Sequence, residues 1–154
     1  MCDVLKEIYS NIYEEPFNYD SLDHRIKLQK AIYILENSGI SVGDYSFSWN
    51  KYGPYSLHLD SEAKKCSSEE TKDVVFSKEA ISAFNRIKSI IEDSTSAYTV
   101  ERWVECITTI HHLLFVLKVS SEKVLDELTI RKPYLDDSVS NEKAFTIAQN
   151  ICVA

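Results

Sequence analysis

Between residues 100 and 117, Val100, Val104, Ile107, Ile110, Leu113, Leu114 and Leu117 recur at short helical intervals, with Trp103 and Cys106 among them. An α-helix turns by about 100° per residue. The spacing therefore predicts a helix over about 100–118, with an apolar stripe too wide for a single neighbour to cover. Such a helix belongs at the centre of its fold, with other helices around it. Three glycines and three prolines in 154 residues are too few for the tight turns of an all-β protein. The run LLFVL at 113–117 is far short of the ~20 apolar residues that cross a bilayer, so no membrane association is expected.

Helical periodicity recurs along the chain. Val4, Leu5, Ile8 and Ile12 predict a helix over 3–14, interrupted at Pro16. Asp20 or Ser21 is placed to cap a second helix over 22–38, and Gly39 to end it by taking φ > 0. Ser56 precedes a short helix over 57–65, and Ser77 one over 77–92 that carries Ile81, Phe84, Ile87, Ile90 and Ile91. Thr99 caps the central helix; a short helix over 121–128, an ordered loop IRKPYLDD and a last helix over 140–151 follow. YSFSW at 45–49 alternates aromatic and small residues, the period of a strand with Tyr45, Phe47 and Trp49 on one face. Gly53-Pro54 then predicts a corner, and DVVF at 73–76 a second strand pairing with 45–49 as a wing. The expected fold is mainly α (α+β): a single domain over 1–154 with a small two- or three-stranded β element, compatible with a winged-helix arrangement.

The formal charge is −7, but residues 1–23 alone carry −5, leaving a nearly neutral body. An acidic chain is a poor nonspecific ligand for nucleic acid, whose affinity is dominated by phosphate contacts. Cys2, Cys66, Cys106 and Cys152 are dispersed with no C-x-x-C pair, so neither zinc nor a disulfide is expected, and a chain this long needs neither to hold a core. These features predict a cytoplasmic protein. Cys106 reads as a small buried hydrophobe. His111 and His112 point about 100° apart on a helix and cannot chelate one ion together; one of them is expected in the core or lining a groove. No nucleophile elbow, phosphate loop, H-E-x-x-H or dinucleotide fingerprint occurs. No catalytic residues, metal or cofactor are therefore expected.

Two stretches stand out. RIKLQKAIYILENSG at 25–39 places Arg25, Lys27 and Lys30 on an amphipathic helix, and SFSWNKYGPYS at 46–56 places Lys51, Tyr52 and Tyr55 around the Gly-Pro corner. Cations steer an acidic partner and an exposed ring anchors it. Arg25, Lys27, Lys30, Lys51, Tyr52 and Tyr55 are accordingly the expected partner-binding residues, with helix and corner side by side.

KLQKAIYILENSG (27–39) followed by FSWNKYGPYS (47–56) resembles the Panacea, or SocA-like, antitoxin domain. With ELTIRKPYLDD (127–137) added, the pattern looks like the small YwgA-like bacterial proteins. Lys27, Leu28, Lys30, Tyr33, Trp49, Tyr52, Gly53 and Pro54 match the motif, of which Leu28, Tyr33, Trp49, Gly53 and Pro54 are taken as structural. Ala31 and Ile32 stand where the family often has two leucines, and Tyr55 where a small aliphatic residue is usual. The resemblance implies a mostly helical domain that neutralises a toxin or delivers one to a protease. The expected function is a non-enzymatic protein-interaction module of antitoxin or adaptor type. A nucleic-acid-binding regulator is the alternative, with the basic helix face meeting phosphates.

Overall fold

A computed structural model describes residues 2–66, 74–92 and 96–151. They form seven helices and one two-stranded antiparallel sheet: α1 (Cys2–Tyr13), α2 (Leu22–Asn37), β1 (Ser48–Asn50), β2 (Gly53–Tyr55), α3 (Leu57–Lys65), α4 (Lys78–Ile91), α5 (Val100–Phe115), α6 (Val124–Arg131) and α7 (Ser138–Ile151). The protein is mainly α with a small β element, as the turn-poor composition requires. Among the described residues no helix is long and apolar enough to cross a membrane.

The stripe of α5 is buried from Trp103 to Leu113, while Val100 and Leu117 at its two ends are exposed. It packs on α2, α4, α6, α7 and β2, burying Trp103, Val104, Cys106, Ile107, Ile110 and Leu113. The Trp103 indole N–H donates to the Ile90 carbonyl at 2.9 Å, which satisfies one of the unpaired carbonyls at the end of α4. Ser140, Ala144 and Ala148 are the fully buried residues of α7 among those described; their small side chains let this helix approach α5 closely. The Cys106 thiol, pushed up by burial, reaches Asn141 Oδ1 at 3.4 Å and is an inert core residue.

Three serines start their helices as expected. Ser21, Ser56 and Ser77 accept hydrogen bonds from the backbone N–H of His24, Leu59 and Ala80. Gly39, at φ +87°, ends α2 with the paired bonds of a Schellman motif: Ile40 N–H to Leu35 O at 2.9 Å and Gly39 N–H to Glu36 O at 3.3 Å. Thr99 occupies the cap of α5 but makes no side-chain capping bond.

Several expectations are corrected. The strand is not 45–49. Ser48–Asn50 pairs with Gly53–Tyr55, so Gly53 and Pro54 lie in the ladder and Lys51-Tyr52 make the turn. Pro54 is tolerated because a two-stranded ribbon has only edges, where a missing donor costs no ladder bond. Tyr45, Phe47 and Trp49 consequently share no strand face. Tyr45 donates to Glu62 on α3, Phe47 packs edge-on to Tyr33, and Trp49 faces α6. Residues 74–76 form no strand; Asp73 lies outside the described residues. α5 stops at Phe115 rather than 118, because Lys118 adopts a left-handed φ of 58° and Val119 N–H turns back to Leu113 O. α6 starts three residues later than expected and runs on to Arg131, ending where Pro133 forces Lys132 out of helical geometry. Finally, Cys2 and Cys66 form a disulfide that joins the start of α1 to the end of α3. Their separation of 64 residues hides this juxtaposition from the sequence.

Candidate functional site

The feature that organises this molecule's polar chemistry is buried. On α5, Glu105, Thr109 and His112 follow one another at four- and three-residue steps and so share a face. All three are buried. Facing them are Gln29 and Lys30 of α2, the inner side of the β1–β2 hairpin, and the segment Lys132–Tyr134.

Each hairpin carbonyl that turns inward meets a donor. Gln29 clamps Ser56 from both sides, its Nε2 donating to Ser56 O at 2.8 Å and its Oε1 accepting from Ser56 N–H at 2.9 Å. The fully buried Lys30 ammonium donates to Pro54 O at 2.7 Å. Lys132 Nζ lies 3.4 Å from Asn50 O and also donates to Lys51 O. A buried ammonium is tolerated only where acceptors replace water, and the strand carbonyls supply them. The two lysines thus fasten the hairpin from opposite ends.

Glu105 is the one fully buried carboxylate among the described residues, and its oxygens are heavily used. Arg102 Nη1 approaches Oε1 at 3.2 Å, while Lys132 Nζ at 3.5 Å and the Tyr134 hydroxyl share Oε2. Lys30 is left with the greater electrostatic burden. Burial, opposed by Glu105, pushes its ammonium down to about 7. Burial also lowers Lys132, again opposed by Glu105. The Tyr134 phenol is raised by burial and by its bond to Glu105. Thr109 Oγ1 and His112 Nδ1 have no hydrogen-bond partner in this cluster. Gly53, at φ +90°, lies against Thr109, and a Cβ there would come within 2.5 Å of the Thr109 hydroxyl and 3.5 Å of Lys30 Nζ.

Both histidines are buried, where one was expected. Burial, then the neighbouring His112, pushes His111 down to about 4. It is therefore neutral near pH 7, with Nδ1 and the Tyr33 hydroxyl sharing a hydrogen bond of 2.6 Å.

Outside the cluster, the same residues continue as a stack of alternating cations and rings. The Arg131 guanidinium lies 5.0 Å from the Trp49 ring, and Lys132 Nζ 5.1 Å from that ring and 5.9 Å from Tyr134. Arg102 lies 4.2 Å from the other end, Tyr134. The two guanidiniums that bound the stack are about 40% exposed as side chains, and Tyr134 is 41% exposed. Lys51 and Tyr52 project from the hairpin turn beside it, 5.5 Å from cation to ring.

The expected partner-binding residues divide into three places. Lys30 is corrected: its ammonium is an internal fastener of the hairpin, inaccessible to a partner. Helix and hairpin do lie side by side, joined through the interior. Lys27 pairs with Glu15 at 2.6 Å and lies over Tyr13 at the α1–α2 junction, so its charge is already neutralised. Arg25 lies over Tyr19, and the Tyr19 and Tyr55 hydroxyls both donate to Asp60. Arg25 and Tyr55 therefore belong to a separate cluster at α3. Lys51 and Tyr52 remain at the surface. Of the structural motif, Leu28 and Tyr33 are core, and Trp49, Gly53 and Pro54 build the hairpin as described. Sequence reasoning missed Arg102, Glu105, Arg131, Lys132 and Tyr134. One signal was present: Glu105 interrupts the most apolar helix of the chain, and a carboxylate there demands partners.

No protein-family model matches this chain, and no curated protein or solved structure matches it either. Among the described residues no group of three histidine, cysteine or acidic side chains is placed to hold a metal ion.

Proposed function

We propose that this chain is a non-enzymatic protein-interaction module of antitoxin or proteolytic-adaptor type. Its site is the stack Arg131–Trp49–Lys132–Tyr134–Arg102 with Lys51 and Tyr52 at its side, and its partner presents an acidic segment. The observation that carries this reading is the composition and anchoring of that stack. Arginine and aromatic residues dominate binding energy where proteins meet. These stand on a hairpin held from beneath by two buried lysines, so little conformational entropy is left to lose on binding. The resemblance of 27–39 and 47–56 to the antitoxin domain, and of 127–137 to the YwgA-like proteins, points the same way, because these stretches supply every member of the stack except Arg102. The nucleic-acid alternative loses support: of the helix cations it would use, Lys30 is buried and Lys27 is paired.

The test begins with a partner recovered from the native host and purified. Arg102→Ala and Arg131→Ala should each weaken its binding about tenfold, the scale of a lost charge-assisted contact. Lys78→Ala on α4 should leave binding unchanged. Unaltered affinity in both arginine variants, with both folded, would remove the site and this reading with it.

A further inference from the structure

An apolar hollow lies away from the hairpin. It is a groove of about 670 Å³ between α2, α4 and the end of α7, walled by Ile34, Ala83, Ile87, Ile90, Ile147 and Ile151. That volume falls within the range of small-molecule sites, which are mostly apolar with a few polar groups that fix orientation. The polar groups here are unequal. Ser38, Ser89, Thr146 and Asn150 each donate back to a carbonyl of their own helix. Arg86, at the rim, has no hydrogen bond, ion pair or ring contact with any described residue. None of the groove-lining residues is acidic. A shallower hollow meets the groove at Ser38 and Arg86, and there Lys78 and Glu79 offset one another. The chain carries −7 overall, so a free arginine at the mouth of an apolar trough with no acid in its lining is a specific arrangement of charge.

We propose that this groove binds a small amphipathic carboxylate, an acyl chain lying along the isoleucine walls with its carboxylate paired to Arg86. An uncharged chain would leave the guanidinium unused, and a cationic one would be repelled by it. The proposal is independent of the protein-binding role assigned to the hairpin stack.

The probe is decanoate, added to the full chain and followed through backbone and isoleucine-methyl NMR signals. At about 0.35–0.45 kcal/mol per non-hydrogen atom, between the drug-sized value and the ceiling for the smallest ligands, Kd for decanoate should be on the order of 0.1–1 mM. Saturable shifts should centre on Ile34, Ile87, Ile90 and Ile147. Arg86→Gln, a change at an exposed position, should raise Kd about fivefold to tenfold for decanoate and leave decanol unaffected. Ser89→Trp at the rim should block both. Decyltrimethylammonium should bind more weakly than decanoate. The absence of saturable shifts up to about 5 mM (well above the expected Kd) would overturn the proposal. So would equal binding of the two oppositely charged probes, indifference to Arg86→Gln, or a dimer in solution whose interface protects these residues and assigns the groove to a second copy of the chain.

Discussion

Gly53→Ala separates the hairpin described above from any looser arrangement. At φ +90° an L-residue incurs about 1–2 kcal/mol of backbone strain. The new methyl would also lie 2.5 Å from the Thr109 hydroxyl, with Lys30 Nζ at 3.5 Å. Neither neighbour yields easily, since Thr109 and Lys30 are fully buried and Lys30 is bound to Pro54 O. Overpacking of this kind costs about 1–3 kcal/mol, so with the strain the variant should lose about 2–5 kcal/mol in urea unfolding. Thr109→Ala alone should cost under about 1 kcal/mol, because its hydroxyl has no partner to lose. Combining the two removes the clash and leaves the strain. The double variant should therefore be more stable than the sum of the singles by about 1–3 kcal/mol, the cost of the clash and a coupling of the size expected for residues in contact. Additive losses, or a Gly53→Ala variant within about 0.5 kcal/mol of the parent, would refute the packing of the hairpin on α5.

Further outcomes follow from other parts of the fold. His111 titrates near 4 in the folded protein and near 6.5 when exposed, so the unfolded chain takes up the proton first; stability should be complete above pH 6.5 and fall by about 3 kcal/mol as pH drops to 4, with His111→Gln flattening that slope. Reducing the Cys2–Cys66 bridge, 64 residues apart, should cost about 4 kcal/mol by the loop-entropy relation, and Cys2→Ser should show the same loss without reductant. In α5, Leu113 is fully buried and Leu114 only half. Leu113→Ala should lose about 2–5 kcal/mol and Leu114→Ala clearly less; the reverse order in chemical denaturation would mean that the helix is rotated from the orientation described.

The elements of this fold were legible because their signals are local. Serine caps, the glycine at the end of α2 and the stripe of α5 each act within a turn or two of chain. The limits of α5 and α6 were less legible. Lys118 ends α5 in a conformation normally reserved for glycine, and nothing in its side chain announces that. The hairpin was misread for a related reason: alternation at 45–49 imitates a strand, but only 48–50 finds a partner. The site was half visible. The two cation-and-aromatic stretches do meet, yet their roles are exchanged. Lys30 looks like a surface cation because helical spacing gives the face of a residue and says nothing of an arriving hairpin. Its acceptor lies 24 residues away, and the acceptor of Lys132 is 81 residues away. Contacts at such separations leave no periodic trace in a single chain.

The hairpin, and with it the proposed binding site, depends most on Lys30 as an internal ammonium. A side-chain NMR titration of that lysine tests this directly. Its Nζ and Cε signals should move with a midpoint near 7, against 10.5 for a solvated lysine. Stability should rise with pH from about 7 to about 9, where the unfolded state still binds the proton that the folded state has released. Lys30→Met, which keeps the bulk and removes the charge, should abolish that rise. A midpoint close to 10.5, with no change in the pH dependence of the Lys30→Met variant, would return Lys30 to the surface and contradict the buried fastening on which the proposed binding site stands.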